Sequence, residues 1–238
     1  MEYHRAFDKP IRQGRLVKRY KRFLADVEID GEILTVHCAN SGAMLGCNLP
    51  GSPVLISRHD NPARKLKYSL EAVNVDGEWV GVNTSVPNGF VGELLRAGRI
   101  EAFRDYPTVR PEVKVGASRI DFMLTGPELP PAYLEVKNVS LVDRGCAMFP
   151  DAVTQRGARH MRELTELVRD GSRAAVLFFI QRTDGARFAP ATHIDPGYAE
   201  ALGAAVQAGV EVYPLMVRVD ETGLTSLGMI PFDHDLAV

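Results

Sequence analysis

Apolar and polar residues alternate through most of the first third of the chain, the two-residue period of half-buried strands. The segments "VEIDGEILTV" (27–36) and "EAVNVDGEWVGV" (71–82) each set Asp-Gly between two such runs. Asp-Gly suits the positive φ angles of a tight hairpin turn, so both segments predict β-hairpins. The long run 15–29 and the shorter runs 53–57 and 66–75 bring the total to about five strands with no helix. A partly open, five-stranded OB-like barrel over residues 1–83 closes such a set with few exposed edges, and a small sandwich or an SH3-like barrel meets the same pattern.

The period then changes. After "NTSVPNGF" (83–90), Val91, Leu94, Leu95 and Ile100 fall at helical spacing. Three short runs follow at 107–115, 118–125 and 132–140, punctuated by Gly and Pro, and predict an antiparallel meander. The stretch "DAVTQRGARHMRELTELVRDG" predicts a helix capped by Asp151 and ended by Gly171, with Met161, Leu164 and Val168 inward and Gln155, Arg159 and Arg162 on the other face. "AAVLFFIQR" (174–182) is apolar on both faces, as a strand covered on both sides must be, and one further helix and strand follow. The order α-β-β-β-α-β-α-β makes residues 84–238 an α/β domain behind the barrel.

Composition narrows the setting. The chain has 238 residues, 45% of them hydrophobic, and no apolar run nears the length of about 18 residues that a membrane helix needs. No membrane contact is expected. Cys38, Cys47 and Cys146 form no Cys-x-x-Cys pair, so reduced thiols and a cytoplasmic protein are predicted. Net charge is −2, yet residues 1–22 hold eight Lys or Arg against two acids. Arg15, Lys18, Arg19 and Lys21, with Tyr20 and Phe23 among them, form a candidate nucleic-acid surface, because cations track phosphates and aromatic rings stack on bases.

The candidate chemistry lies in "RIDFMLTGPELPPAYLEVKNVSL" (119–141). Glu135 and Lys137 share one face of a strand, and Asp121 in the preceding strand can stand beside Glu135. Two carboxylates so placed repel unless a cation lies between them, and Mg²⁺, or Mn²⁺ in its place, suits two oxygen ligands with room for water and phosphate. Lys137 can then orient the attacking water and stabilise charge on a phosphate. Cys146 reads as a small buried hydrophobe, and His160 as a helix-packing group.

This Asp…Glu-x-Lys arrangement resembles the metal centre of the PD-(D/E)xK nuclease superfamily, whose core follows the same element order. The blocks "YLEVKNVSL", "FPDAVTQRGARHMREL" and "FFIQR", with "VPN" before the first helix, resemble the sugar fermentation stimulation protein family (SfsA) over nearly the whole length. That resemblance implies an OB-like domain joined to a PD-(D/E)xK nuclease-like domain, DNA binding without marked sequence preference, and a regulatory part in sugar (maltose) metabolism. It carries Asp121, Glu135 and Lys137 onto the catalytic motif, Glu93 onto the extra acid of the first helix, and Gln155 onto a polar position of the second; Ile120 departs from the motif's Pro. The expected partner is DNA, double-stranded, with Asp121 and Glu135 as metal ligands and Arg159 and the basic stripe on phosphate. A non-catalytic DNA-binding regulator and an RNA-processing nuclease are the rival readings. The oligomeric state stays open, a homo-oligomer included.

Overall fold

In the computed structural model, residues 2–116 and 118–233 are described; Met1, Ala117 and residues 234–238, the last within the stretch assigned above to the second domain, lie outside them. The chain starts with β1 (Tyr3–Ala6), then β2 (Ile11–Tyr20), β3 (Leu24–Ile29), β4 (Glu32–His37), β5 (Pro53–Arg58), β6 (Tyr68–Val75) and β7 (Glu78–Gly81). Strands β2 to β7 form one sheet in the order β4-β3-β2-β5-β6-β7, and a parallel His37–Ser69 bridge joins β4 to β6 and curls the sheet toward closure. This is the OB-type barrel. Both Asp-Gly pairs lie in the left-handed region, at φ 53° and 81° for Asp30-Gly31 and 52° and 93° for Asp76-Gly77, as the hairpin reading requires. The run 15–29 is not one strand: Lys21 and Arg22 turn it at φ 48° and 61°, folding β2 back on β3.

The rest comprises α1 (Val86–Arg96), β8 (Thr108–Val115), β9 (Ser118–Thr125), β10 (Ala132–Val139), β11 (Leu141–Asp143), β12 (Cys146–Phe149), α2 (Gln155–Arg169), β13 (Arg173–Ile180), β14 (Arg187–Pro190), α3 (Pro196–Gln207), β15 (Glu211–Asp220) and β16 (Gly223–Met229). The main sheet runs β1-β16-β15-β13-β10-β9-β8. Strands β8, β9 and β10 are the antiparallel meander, while β10, β13 and β15 are parallel, linked through α2 and α3. Three pieces lie beyond the expected order. Strand β16 extends the sheet, β1 pairs antiparallel with β16 from the far end of the chain, and β11, β12 and β14 make a small separate sheet. At three or four residues each, β1, β11, β12 and β14 carry too little alternation to be read locally.

Strand β13 is central and buried on both faces. Ala175, Leu177 and Phe179 pack with α1 residues, including Phe90, Leu94 and Leu95, and with Leu55 and Ala72 of the barrel. Ala174, Val176, Phe178 and Ile180 pack with Met161 and Leu164 of α2 and Tyr198 and Leu202 of α3. The barrel therefore contributes to the core beneath one face of the second domain's sheet. Helix α2 starts later than expected: Thr154, not Asp151, caps it, its side chain accepting from the Gly157 amide at 3.0 Å. Asp151 instead accepts from the Met44 amide of a barrel loop at 2.7 Å, and Gly42 sits so close that a Cβ there would lie 2.7 Å from its Oδ1. One oxygen of its carboxylate is thus spent on joining the two domains.

Candidate active site

The ladder between β9 and β10 pairs Leu124 with Ala132, Met123 with Tyr133 and Phe122 with Leu134, and goes no further. Beyond it the Asp121 side chain replaces the backbone partner: Oδ2 accepts from the Val136 amide at 2.7 Å, and Oδ1 accepts from Asn88 Nδ2 at 2.7 Å. Simple alternation fails here, because Ile120 and Phe122 pack into cores on opposite faces of the sheet. Asp121 stands where the strand crosses between them. Burial and the neighbouring Glu135 charge push its carboxyl up to about 6.

Glu135 is 3% exposed. Its Oε1 accepts from Lys137 Nζ at 2.6 Å and from His160 Nδ1 in a very short contact. Burial raises the Glu135 carboxyl, but the His160 hydrogen bond and the Lys137 charge outweigh it and hold the group below its ordinary value. Arg156 Nε donates to His160 Nε2 at 3.3 Å, which leaves Nδ1 as the protonated nitrogen that donates to Glu135. The other Glu135 oxygen, Oε2, is buried without any hydrogen-bond partner. A buried carboxylate oxygen with nothing bound is costly unless something else takes it, and a hard cation is the group that fits. Among the described residues no group of three His, Cys, Asp or Glu side chains is placed to hold a metal ion by itself, so a cation here would draw on two carboxylates and on water or substrate oxygens.

Lys137 joins Asp121 and Glu135 as expected, and Glu93 does not. The Glu93 carboxylate accepts from Tyr3 Oη at 3.1 Å and pairs with Arg5 at 3.4 Å, tying α1 to β1. The α1 side chain that reaches Asp121 is Asn88, from "VPN", which forms the first turn of α1 rather than preceding it. Gln155 likewise stays exposed at the start of α2, and His160, 1% exposed, is the α2 side chain at the site. A signal existed for it: His160 falls on the apolar stripe of Gly157, Met161 and Leu164, where an imidazole needs a partner. Cys146 is buried, as expected.

The basic stripe is largely committed within the barrel. Arg19 donates to the carbonyls of Asn40 at 2.7 Å and Gly42 at 2.9 Å. Arg15 donates to the Gly51 carbonyl at 3.1 Å, and Lys18 lies 3.6 Å from Asp26 and over the Tyr20 ring. Lys21 is exposed at the β2–β3 turn beside Phe23, which is 48% exposed. Arg159 is exposed on α2, where with Arg156 and Arg162 it lines an open cleft of about 640 Å³.

Comparison with known proteins decides the family. Residues 85–223 match the sugar fermentation stimulation protein RE domain, and residues 17–82 match the SfsA N-terminal OB domain. The chain belongs to the sugar fermentation stimulation protein family. It is 49% identical over 221 residues to a sugar fermentation stimulation protein homolog of Geobacter sulfurreducens, covering 91% of this chain and 94% of that one. A homolog from Chelativorans is 46% identical, covering 95% and 99%. The structure of Pyrococcus furiosus SfsA in complex with Ca²⁺ superposes with a TM-score of 0.89 at 25% identity, covering 96% of this chain and 98% of that one. An OB-type domain followed by the α/β domain of this family is thus the fold of the chain. No helix among the described residues is long and apolar enough to cross a membrane.

Proposed function

We propose that this protein binds DNA, chiefly duplex and with little regard to sequence, and hydrolyses its phosphodiester bonds at the Asp121, Glu135 and Lys137 centre with Mg²⁺ or Mn²⁺. The observation that carries this reading is the unpartnered, buried Oε2 of Glu135 beside the Asp121 carboxyl. The Ca²⁺ complex of the Pyrococcus relative adds support for a divalent cation.

Asp121 and Glu135 would hold the cation, which when bound supplies Lewis-acid stabilisation of charge developing on the attacked phosphate. Asn88 fixes the Asp121 carboxylate through Oδ1. His160 and Lys137 share Oε1 of Glu135 and so leave Oε2 for the cation. Lys137 Nζ, with hydrogens beyond its Glu135 bond, orients the attacking water and donates to a phosphate oxygen. Arg156, Arg159 and Arg162 flank this centre on α2 and would position the backbone through its phosphates.

A second reading, a DNA-binding regulator with an inert nuclease-like centre, draws on the fact that both Asp121 oxygens already hold hydrogen bonds within the protein. Labelled single- and double-stranded DNA and RNA incubated with Mg²⁺ or Mn²⁺ separate the two. Cleavage of duplex DNA, reduced at least about 10²-fold in Lys137→Ala and in Glu135→Ala, is expected. Tight, salt-sensitive binding without turnover establishes the regulator, and a preference for single-stranded RNA establishes an RNA nuclease.

A further inference from the structure

A second cleft, of about 290 Å³, lies where the barrel loop 40–42 meets the second domain, and it shares Val153 and Thr154 with the arginine-lined cleft of α2. Three of the four elements that carry side chains of the candidate centre, β10, α2 and α1 but not β9, contribute to its walls or abut them. Asn138 follows Lys137 on β10, Thr154 caps the helix that carries His160, and Thr84 lies just ahead of the helix that carries Asn88. The cleft is therefore next to the centre and formed by both domains.

Its chemistry contrasts with that of its neighbour. No Lys, Arg or His lines it, and Asp151 supplies a negative charge, so it is unsuited to a phosphate. Phe149, Met148, Leu141 and Pro150 provide apolar wall, and Asn138, Ser140 and Thr84 provide polar edges. Several of these edges have bonding capacity to spare. Asn138 accepts from Gln181 through Oδ1 only, Thr84 spends its hydroxyl hydrogen on the Ala39 carbonyl and keeps its lone pairs, and Asp151 spends Oδ2 on Met44. Apolar walls with a few donors and acceptors, at the small end of ligand-pocket volumes of roughly 300–1,000 Å³, describe a seat for a flat, neutral, hydrogen-bonding heterocycle.

We propose that this cleft receives one unstacked nucleobase of the bound strand while the adjoining arginine face of α2 holds the flanking phosphates. The inference rests on the DNA-binding reading above and deepens it: the substrate is a strand that can release a base from its stack, at a cost of a few kcal/mol that is least at ends, mismatches and single-stranded stretches. Phe149 supplies the aromatic wall, and the Asp151 carboxylate accepts from an exocyclic amino group, which favours cytosine, adenine or guanine over thymine.

The test uses the full chain with Ca²⁺ in place of Mg²⁺ and oligonucleotides, duplex and single-stranded, bearing 2-aminopurine at successive positions. Anisotropy of an end label reads binding, and 2-aminopurine emission reads unstacking. Ser41→Trp, at an exposed position on the cleft rim and outside the catalytic centre, fills the entrance without disturbing the core. The expected result is a several-fold rise in emission at one position on binding, lost in Ser41→Trp while anisotropy still reports a comparable affinity. Binding without any rise in emission, or a rise unaltered by Ser41→Trp, overturns the base seat and leaves DNA binding standing. Absence of an anisotropy change with every oligonucleotide removes DNA binding itself, and the base seat with it.

Discussion

The centre on β9, β10 and α2 and the basic strand β2 of the barrel are both dense in charge, and they differ in what their charges have left to give. At the centre the ionisable groups are buried and most of their hydrogen bonds run to one another, yet one Glu135 oxygen is left with no partner. Along β2 the cations are mostly exposed, and Arg15, Lys18 and Arg19 each hold a carbonyl or a carboxylate of the barrel, although the Arg19 Nε is itself buried without a partner. Exposure costs a lysine or arginine little, so a basic strand can serve as scaffold. Burying a carboxylate costs several kcal/mol, so an unspent oxygen at depth has to be explained by what it binds. Buried unpartnered atoms also occur at Arg19 and Glu163, so what marks the site is an unspent carboxylate oxygen with a second buried carboxyl, Asp121, beside it.

That contrast can be broken first at Asp121. In the metal-free protein its carboxyl, raised to about 6 from 3.8 in the unfolded chain, keeps a proton in the folded state that the unfolded state has released. The folded pKa is the higher one, so this group's contribution to stability is complete below about pH 4 and is lost as pH rises through about 6, by at most about 3 kcal/mol. Glu135, held low, acts in the opposite sense as pH falls. Urea unfolding of the wild type and Asp121→Asn across this window should diverge, the variant losing the decline toward neutral pH. Parallel curves would mean that Asp121 titrates as an ordinary surface acid.

At His160 the comparison sharpens. Removing the donor that fixes Oε1 should let the Glu135 carboxylate rotate, lowering Mn²⁺ affinity by about 10- to 100-fold in His160→Ala, with partial recovery in His160→Asn. Unchanged affinity in His160→Ala, measured by calorimetry on protein with a native circular dichroism spectrum, would make His160 a packing residue alone.

The smallest effects set the two arginine populations apart. Arg19→Ala should lower unfolding free energy by about 1–3 kcal/mol, because it frees loop carbonyls, and leave DNA affinity nearly unaltered. Arg159→Ala should do the reverse, keeping stability and reducing the salt dependence of binding by about one phosphate contact. Denaturant titrations and anisotropy at several salt concentrations read both.

Much of this was legible because it is local. The Asp30-Gly31 and Asp76-Gly77 hairpins, the two-faced apolar strand β13 and the Glu135 and Lys137 pair all follow from spacing along the chain. What was not legible depends on partners far away in sequence. Strand β1 exists through its pairing with β16, and Asp151 looks like a helix cap until Met44 of the barrel claims it. Lys21 and Arg22 turn the chain without the glycine that would announce a turn. Glu93 and Asn88 sit on the same helix, and only the packing of α1 against both β1 and β9 decides which of them meets Asp121.

The central claim is that Glu135 keeps an oxygen for a divalent cation beside Asp121, and titrating Mn²⁺ by calorimetry into the wild type and Glu135→Gln tests it without recourse to turnover. A saturable site present in the wild type and lost in Glu135→Gln is the predicted result; the same binding isotherm in both, or none in the wild type, would contradict it.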